Sequence, residues 1–291
     1  MYSQITANKR KSVFILFVFF GLVGLMSWIF TNYMGNQSLL PFILVGAAFY
    51  ALFSYYSGSA IALALNGAKQ IEKKDDPRLW RIVENLAITD GLPMPKVYII
   101  DDASPNAFAT GRDPGHSSVA VTSGLLEIME NDELEGVLAH ELGHVKNYDI
   151  RVSMIAFALV VVIGLLADIM LRIRWIAGND DDNGNPIFIA IGLLAALLAP
   201  LVASLIQMAI SRRREYLADA TGALTTRYPE GLAKALFKIK QTGSTMRRQN
   251  PSSAHLFFAN PLKKGTLINL FSTHPPIDDR IARLKEMGRH A

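Results

Sequence analysis

The chain has 291 residues, of which 51% are apolar and only 19% charged, with a net charge of +4 and no cysteine. Soluble domains usually carry ~25% charged residues, whereas residues 12–68 contain no Asp, Glu, Lys or Arg; this excludes intrinsic disorder and points to a membrane rather than a cytosolic globule. The missing cysteines exclude disulfides, iron–sulfur clusters, thiol catalysis and Cys-ligated zinc, and the mild positive charge forms no basic stripe among aromatics, so no nucleic acid partner is expected.

Four segments are apolar over roughly the 20 residues that a helix needs to cross a bilayer: 13–30, 39–65, 152–171 and 187–210. Lys9, Arg10 and Lys11 give the first the look of a secretion signal. Its apolar stretch exceeds the ~7–15 residues of a signal core, and a second follows closely, so it reads as a retained helix. Positive residues flank the segments on one side: Lys9 to Lys11 before the first, Lys146 and Arg151 before the third, and Arg212 to Arg214 after the fourth. By the positive-inside rule both termini and the 70–150 region are expected to be cytoplasmic. Asp168 in segment three and Pro200 in segment four mark a kink, or a hairpin that enters the bilayer without a clean crossing.

The chain therefore divides into a helix pair (1–68), a polar piece (69–151), a second hairpin (152–210) and a second polar piece (211–291). Neither polar piece is large enough to bury much core alone, so the two are expected to pack as one interrupted domain. In the first, Asp76-Pro77 opens a helix that runs to Asp90 and closes at Gly91. Strands are predicted at 96–101, 107–110 and 117–122, then helices at 123–130 and 131–147. The second piece is helical over 211–227 and 229–242, loop-like near Asn250-Pro251, and helical again at 277–287. The fold class is α+β with membrane helices.

The helix that starts near Asn131 carries His140-Glu141-Leu142-Gly143-His144. Histidines four apart lie on one helical face, so both imidazoles can converge on one ion. Glu141 then stands beside the metal without ligating it, where a carboxylate can take a proton from a water attacking a peptide carbonyl and return it to the leaving amine. Two surface histidines on a charged helix are the plain alternative. Apolar Leu134, Val137, Leu138, Leu142 and Val145 argue against it, because they make this a packed helix. A catalytic zinc needs a third protein ligand and an open position. By residue type the candidates are His116, His255, His274, His290, and the pair Glu215 and Asp219. That pair shares a helical face, so one could ligate while the other accepts a ligand histidine's second N–H.

The helix pairs, Asn106-Ala107-Phe108-Ala109-Thr110-Gly111, His-Glu-Leu-Gly-His, Arg-Arg-Arg-Glu-Tyr-Leu-Ala-Asp and Thr273-His274-Pro275-Pro276 together resemble HtpX-type membrane zinc metalloproteases, over essentially the whole chain. The resemblance implies a multi-pass membrane protein with a mainly helical, gluzincin-like catalytic domain carrying a small β-sheet. It implies one zinc per subunit on His140, His144 and Glu215, and Glu141 as general base. It further implies a bacterial inner-membrane endopeptidase that removes misfolded or damaged membrane proteins in stress and quality control.

Three further roles are expected. Asp219 orients a ligand histidine, unless it is an exposed helical Asp. His274, fixed before two prolines, supports the transition-state oxyanion or is structural. Asn106 opens an edge on which an extended substrate lies, or only initiates a turn. Two competing functions stand beside the endopeptidase. One is a narrow prenyl-protein (CAAX) processing protease; four apolar segments rather than a large helical chamber argue for open access instead. The other is a membrane scaffold with a structural zinc, which would have no need of Glu141.

Overall fold

The computed structural model describes residues 2–33, 35–157, 212–248, 253–262 and 275–289. The charge-free start forms two long helices, α1 (Tyr2–Tyr33) and α2 (Leu40–Leu65), with Pro41 tolerated in the first turn of α2. Among the described residues one helix, Gln37–Leu65 including its leading 3-10 turn, is long and apolar enough to cross a membrane, and little of it is buried. Val13, Phe14 and Phe17 of α1 and Phe42, Val45 and Phe49 of α2 are exposed, a density of apolar surface that marks contact with lipid or protein rather than water. The third apolar segment is described only to residue 157; the fourth, the link 172–186, Asp168 and Pro200 lie outside the described residues.

A four-stranded sheet follows, with β1 (Ala68–Gln70), β2 (Lys96–Ile100), β3 (Ala107–Gly111) and β4 (Ser117–Thr122) in the order β1-β2-β4-β3. The parallel β2/β4 pair aligns Val97 with Val119, and the antiparallel β3/β4 pair aligns Ala109 with Val119. β3 is thus an edge strand. The predicted strands correspond to β2, β3 and β4. β1 was not anticipated, since three residues are too few to show alternation.

The remaining described helices are α3 (Pro77–Asp90), α4 (Ser123–Ile128), α5 (Asn131–Lys146), α6 (149–157), α7 (Arg212–Thr226), α8 (Pro229–Thr242) and α9 (Ile277–Arg289), of which α5 packs on β3 and α4 on β4. Asp76 caps α3 by accepting the Leu79 N–H at 2.9 Å, and Gly91 ends it with φ 66°. The main apolar core joins both polar pieces: Leu79 and Val119 from the first meet Leu138 and Leu142 of α5, Leu236 of α8 and Leu284 of α9. Each such fully buried side chain contributes roughly 1.5–3 kcal/mol. A separate cluster packs Ile15 and Phe19 of α1 against Val152, Ile155 and Ala156 of α6.

Candidate active site

α5 crosses the centre of the core, and both of its histidines face α7. The approach is close because Gly222 of α7 lies against the α5 backbone: a Cβ there would stand 3.0 Å from the His140 nitrogen. This contact brings Glu215 and Asp219 of α7 to the histidines. One ligand atom each from His140, His144 and Glu215 lies within 4.8 Å of the others, a group that can hold a metal ion. The two Nε2 atoms are 3.2 Å apart, and Glu215 carboxylate oxygens stand 3.8 Å from His140 Nε2 and 3.5 Å from His144 Nε2.

Each imidazole is backed by a carboxylate at its other nitrogen. His140 Nδ1 meets Asp219 Oδ1 at 2.9 Å, and His144 Nδ1 meets Asp149 Oδ2 at 3.0 Å. An Nδ1–H donated to a carboxylate fixes the tautomer that turns the Nε2 lone pair toward a metal. Asp219 is held in turn by Arg280 of α9 through two hydrogen bonds of 2.9 and 2.7 Å, and both residues are buried. Phe258 closes this side, edge-on to His140 at 5.0 Å and under the Arg280 guanidinium at 4.8 Å.

Glu141 is buried one position along α5, and its Oε2 accepts the backbone N–H of Ala109 in β3 at 2.7 Å. The cleft between them is lined by Ala109, Glu141, His144, His255 and Phe257 as well as the ligand group. Segment 253–262 lies along the start of the β3 edge, where the Phe258 N–H donates to the Ala107 carbonyl at 2.8 Å.

Among these protein groups alone, burial pushes the Glu141 carboxyl up to about 7, with the nearby Glu215 charge adding to the shift. Burial lowers His140 to about 4, against the pull of Asp219. Burial would lower His144 too, but the Asp149 hydrogen bond and the surrounding carboxylates outweigh it and raise it to about 9. Burial disfavours charge on Asp219, yet the Arg280 guanidinium and His140 hold its carboxyl well below the ordinary range.

The structure therefore gathers His140, Glu141, His144, Glu215 and Asp219. Asn106 lies immediately before β3. Its side chain is fully buried, donating to the Ala259 carbonyl at 2.8 Å and accepting the Ala259 N–H at 3.1 Å, so it clamps segment 253–262 to the sheet. His274 and His290 lie outside the described residues. His116 sits on a turn, 2.8 Å from Asp113. Asp149 and Arg280 were missed. Arg280 did leave a signal, because its spacing from Leu284 puts a charge on the apolar face of an amphipathic helix. Asp149 left none, since it reaches His144 only through the turn that ends α5.

Against known proteins, a match to the family described as Peptidase family M48 runs over residues 73–288. The chain belongs to peptidase family M48. The "Protease HtpX homolog" of Tropheryma whipplei (strain TW08/27) is 55% identical over 289 residues, covering 99% of each chain. That of Ligilactobacillus salivarius (strain UCC118) is 45% identical over 295 residues, covering 99% of this chain and 100% of the relative. The crystal structure of S. mikatae Ste24p shares the fold with a TM-score of 0.52 and 21% identity, over 98% of this chain and 67% of that one. M48 membership makes this protein a metalloprotease, a hydrolase of peptide bonds. The apolar helix Gln37–Leu65 and the HtpX relatives fit an integral membrane protein.

Proposed function

We propose that this M48 peptidase is a zinc endopeptidase of the bacterial cytoplasmic membrane that cuts cytoplasmic regions of misfolded or damaged membrane proteins. The observation that carries the proposal is the convergence of His140, His144 and Glu215 beside the buried Glu141. Two imidazole nitrogens and one carboxylate oxygen, with both histidines fixed through Nδ1, are the donor set of a catalytic zinc with one position left open. Bound zinc supplies Lewis acidity, which polarises the scissile carbonyl and acidifies water. Glu141, buried beside this group, takes the proton of the attacking water and returns it to the leaving amine. Asp219 and Asp149 hold the imidazoles in orientation.

The Ala107 carbonyl and Ala109 N–H both point away from β4, to Phe258 and Glu141. The Ala109 to Gly111 end of this edge is the place for an extended peptide, so the substrate meets the β3 backbone and Asn106 serves it by fixing the neighbouring segment. His274 remains a proposed oxyanion support.

The catalytic unit consists of parts 69–151 and 211–291, carried by helix pairs in 1–68 and 152–210. Three chain distances support a metal at the cytoplasmic membrane surface. Glu215 follows the fourth apolar segment by five residues, Val152 follows His144 by eight, and Asn8, bonded to Asp149, precedes Val13 by five. Five helical residues rise about 7.5 Å. The test is purification in detergent, with metal content measured alongside cleavage of a membrane protein substrate. One zinc per chain and cleavage abolished by Glu141→Gln support the proposal; metal retained with no cleavage by the wild type would favour a structural site instead.

A further inference from the structure

Beyond the metal ligands, the amino-terminal helix reaches the site through Asn8. We infer that Asn8 of α1 is a positioning residue of the metal centre, fixing Asp149 and through it the His144 imidazole, so that the docking of α1 sets how tightly the metal is held. The inference rests on the zinc-site reading proposed above.

Asn8 is buried, and its carboxamide donates to Asp149 Oδ1 at 2.7 Å and to the Asn147 carbonyl at 2.8 Å. Each of its two N–H bonds thus has one acceptor. Asp149 uses its other oxygen for His144. An ionised carboxylate whose free oxygen is anchored cannot swing about its Cβ–Cγ bond, so the 3.0 Å contact to His144 is held in one geometry. The Arg214 guanidinium stands 3.5 Å from the same oxygen, so the Asn8 amide makes the shorter contact there.

The turn that carries Asp149 needs such an anchor. Asn147 ends α5, and Tyr148 adopts φ 61°, a left-handed conformation unfavourable for a bulky aromatic residue. α1 grips this turn twice, since Lys9 Nζ also sits 4.8 Å over the Tyr148 ring. Farther along, Ile15 and Phe19 pack on Val152, Ile155 and Ala156, so the contact belongs to a continuous interface between α1 and α6. A helix whose next turns are apolar enough for lipid therefore touches the residue behind a metal ligand.

The experiment uses the full chain in detergent and compares wild type, Asn8→Ala, Asn8→Asp and Ser12→Ala. Ala is the best helix former, and Asn8→Asp keeps the side-chain size while replacing the donor with an acceptor, so α1 persists in both. Among the described residues the Ser12 hydroxyl donates within α1, to the Asn8 carbonyl, and it is the control. Asn8→Ala is expected to weaken zinc about tenfold in chelator competition, the size typical for groups that orient metal ligands. It should also alter the visible spectrum of the cobalt-substituted protein and lower kcat with KM unchanged. Asn8→Asp should weaken zinc at least as much, and Ser12→Ala should match wild type. Equal affinity and spectrum in Asn8→Ala and wild type, or an equal loss in Ser12→Ala, overturns the inference while leaving the zinc peptidase intact. A wild type that neither binds zinc nor cleaves overturns both.

Discussion

Ala109 donates its backbone N–H to Glu141 at 2.7 Å, joining the sheet edge to the carboxylate proposed as general base. The same strand that would receive substrate thus holds the group that would take the proton, so a peptide laid along β3 and the carboxylate share one rigid frame.

Role separation follows at the motif. Glu141→Gln is expected to keep the metal and lose cleavage by about 10³-fold or more, because it removes a base and no ligand. His140→Ala and His144→Ala should lose both metal and cleavage. Metal analysis of purified protein with a peptide-cleavage assay separates the two classes.

The same substitution should stabilise the metal-free fold. The Glu141 carboxyl rises from 4.5 to about 7 on burial, so between these values the folded state binds more protons than the unfolded one, and stability falls as pH rises through that window. The full cost, of order 3 kcal/mol from the shift, stands above pH 7. Thermal melts of chelator-treated protein should therefore show Glu141→Gln above wild type at neutral and alkaline pH, with the gap closing toward pH 4.5.

Metal affinity should fall with acid from an unusually high pH. Zinc needs a neutral imidazole, and His144 is raised to about 9 through Asp149 and the neighbouring carboxylates. Below that value a proton must leave before the metal enters, so apparent affinity should drop about tenfold per unit of acidification. Chelator competition between pH 6 and 9 measures the slope; a flat profile down to the free-histidine value of ~6.5 would contradict it.

Arg280→Met should destabilise the protein by roughly 3–5 kcal/mol, since it leaves a buried Asp219 carboxylate without its cation. Asp219→Asn should be milder and should lower metal affinity, because its amide can no longer accept the His140 N–H as a charge. Denaturant midpoints and metal titration of both variants check the ordering.

Cleavage sites on a membrane protein of known topology should cluster in cytoplasmic loops and at cytoplasmic helix ends. Cuts in periplasmic loops or mid-bilayer would overturn both the orientation and the surface position of the site.

The elements with strong local signals were legible in the sequence: α3 from Asp76-Pro77 and Gly91, the strands β2 to β4, and the packed α5 with its two histidines at helical spacing. Those signals are periodicity and caps, which a chain carries within itself. The pairing of Glu215 with the α5 histidines was suggested by spacing and family likeness, but proximity across the intervening residues required Gly222 to let α7 meet α5. For Asn106 the sequence shows an Asn at the start of a strand, and only packing reveals that its carboxamide bonds to Ala259. Asp149 and Asn8 are silent in the sequence because each acts through an irregular turn or a contact distant in sequence, and neither leaves a period to read; Arg280 shows only as a charge on an apolar helical face, which does not name Asp219 as its partner. The sequence by itself determined the helices, the strands and the chemistry of the ligands; the tertiary structure alone decided what stands behind each ligand, since hydrogen bonds between distant segments depend on where folding brings them.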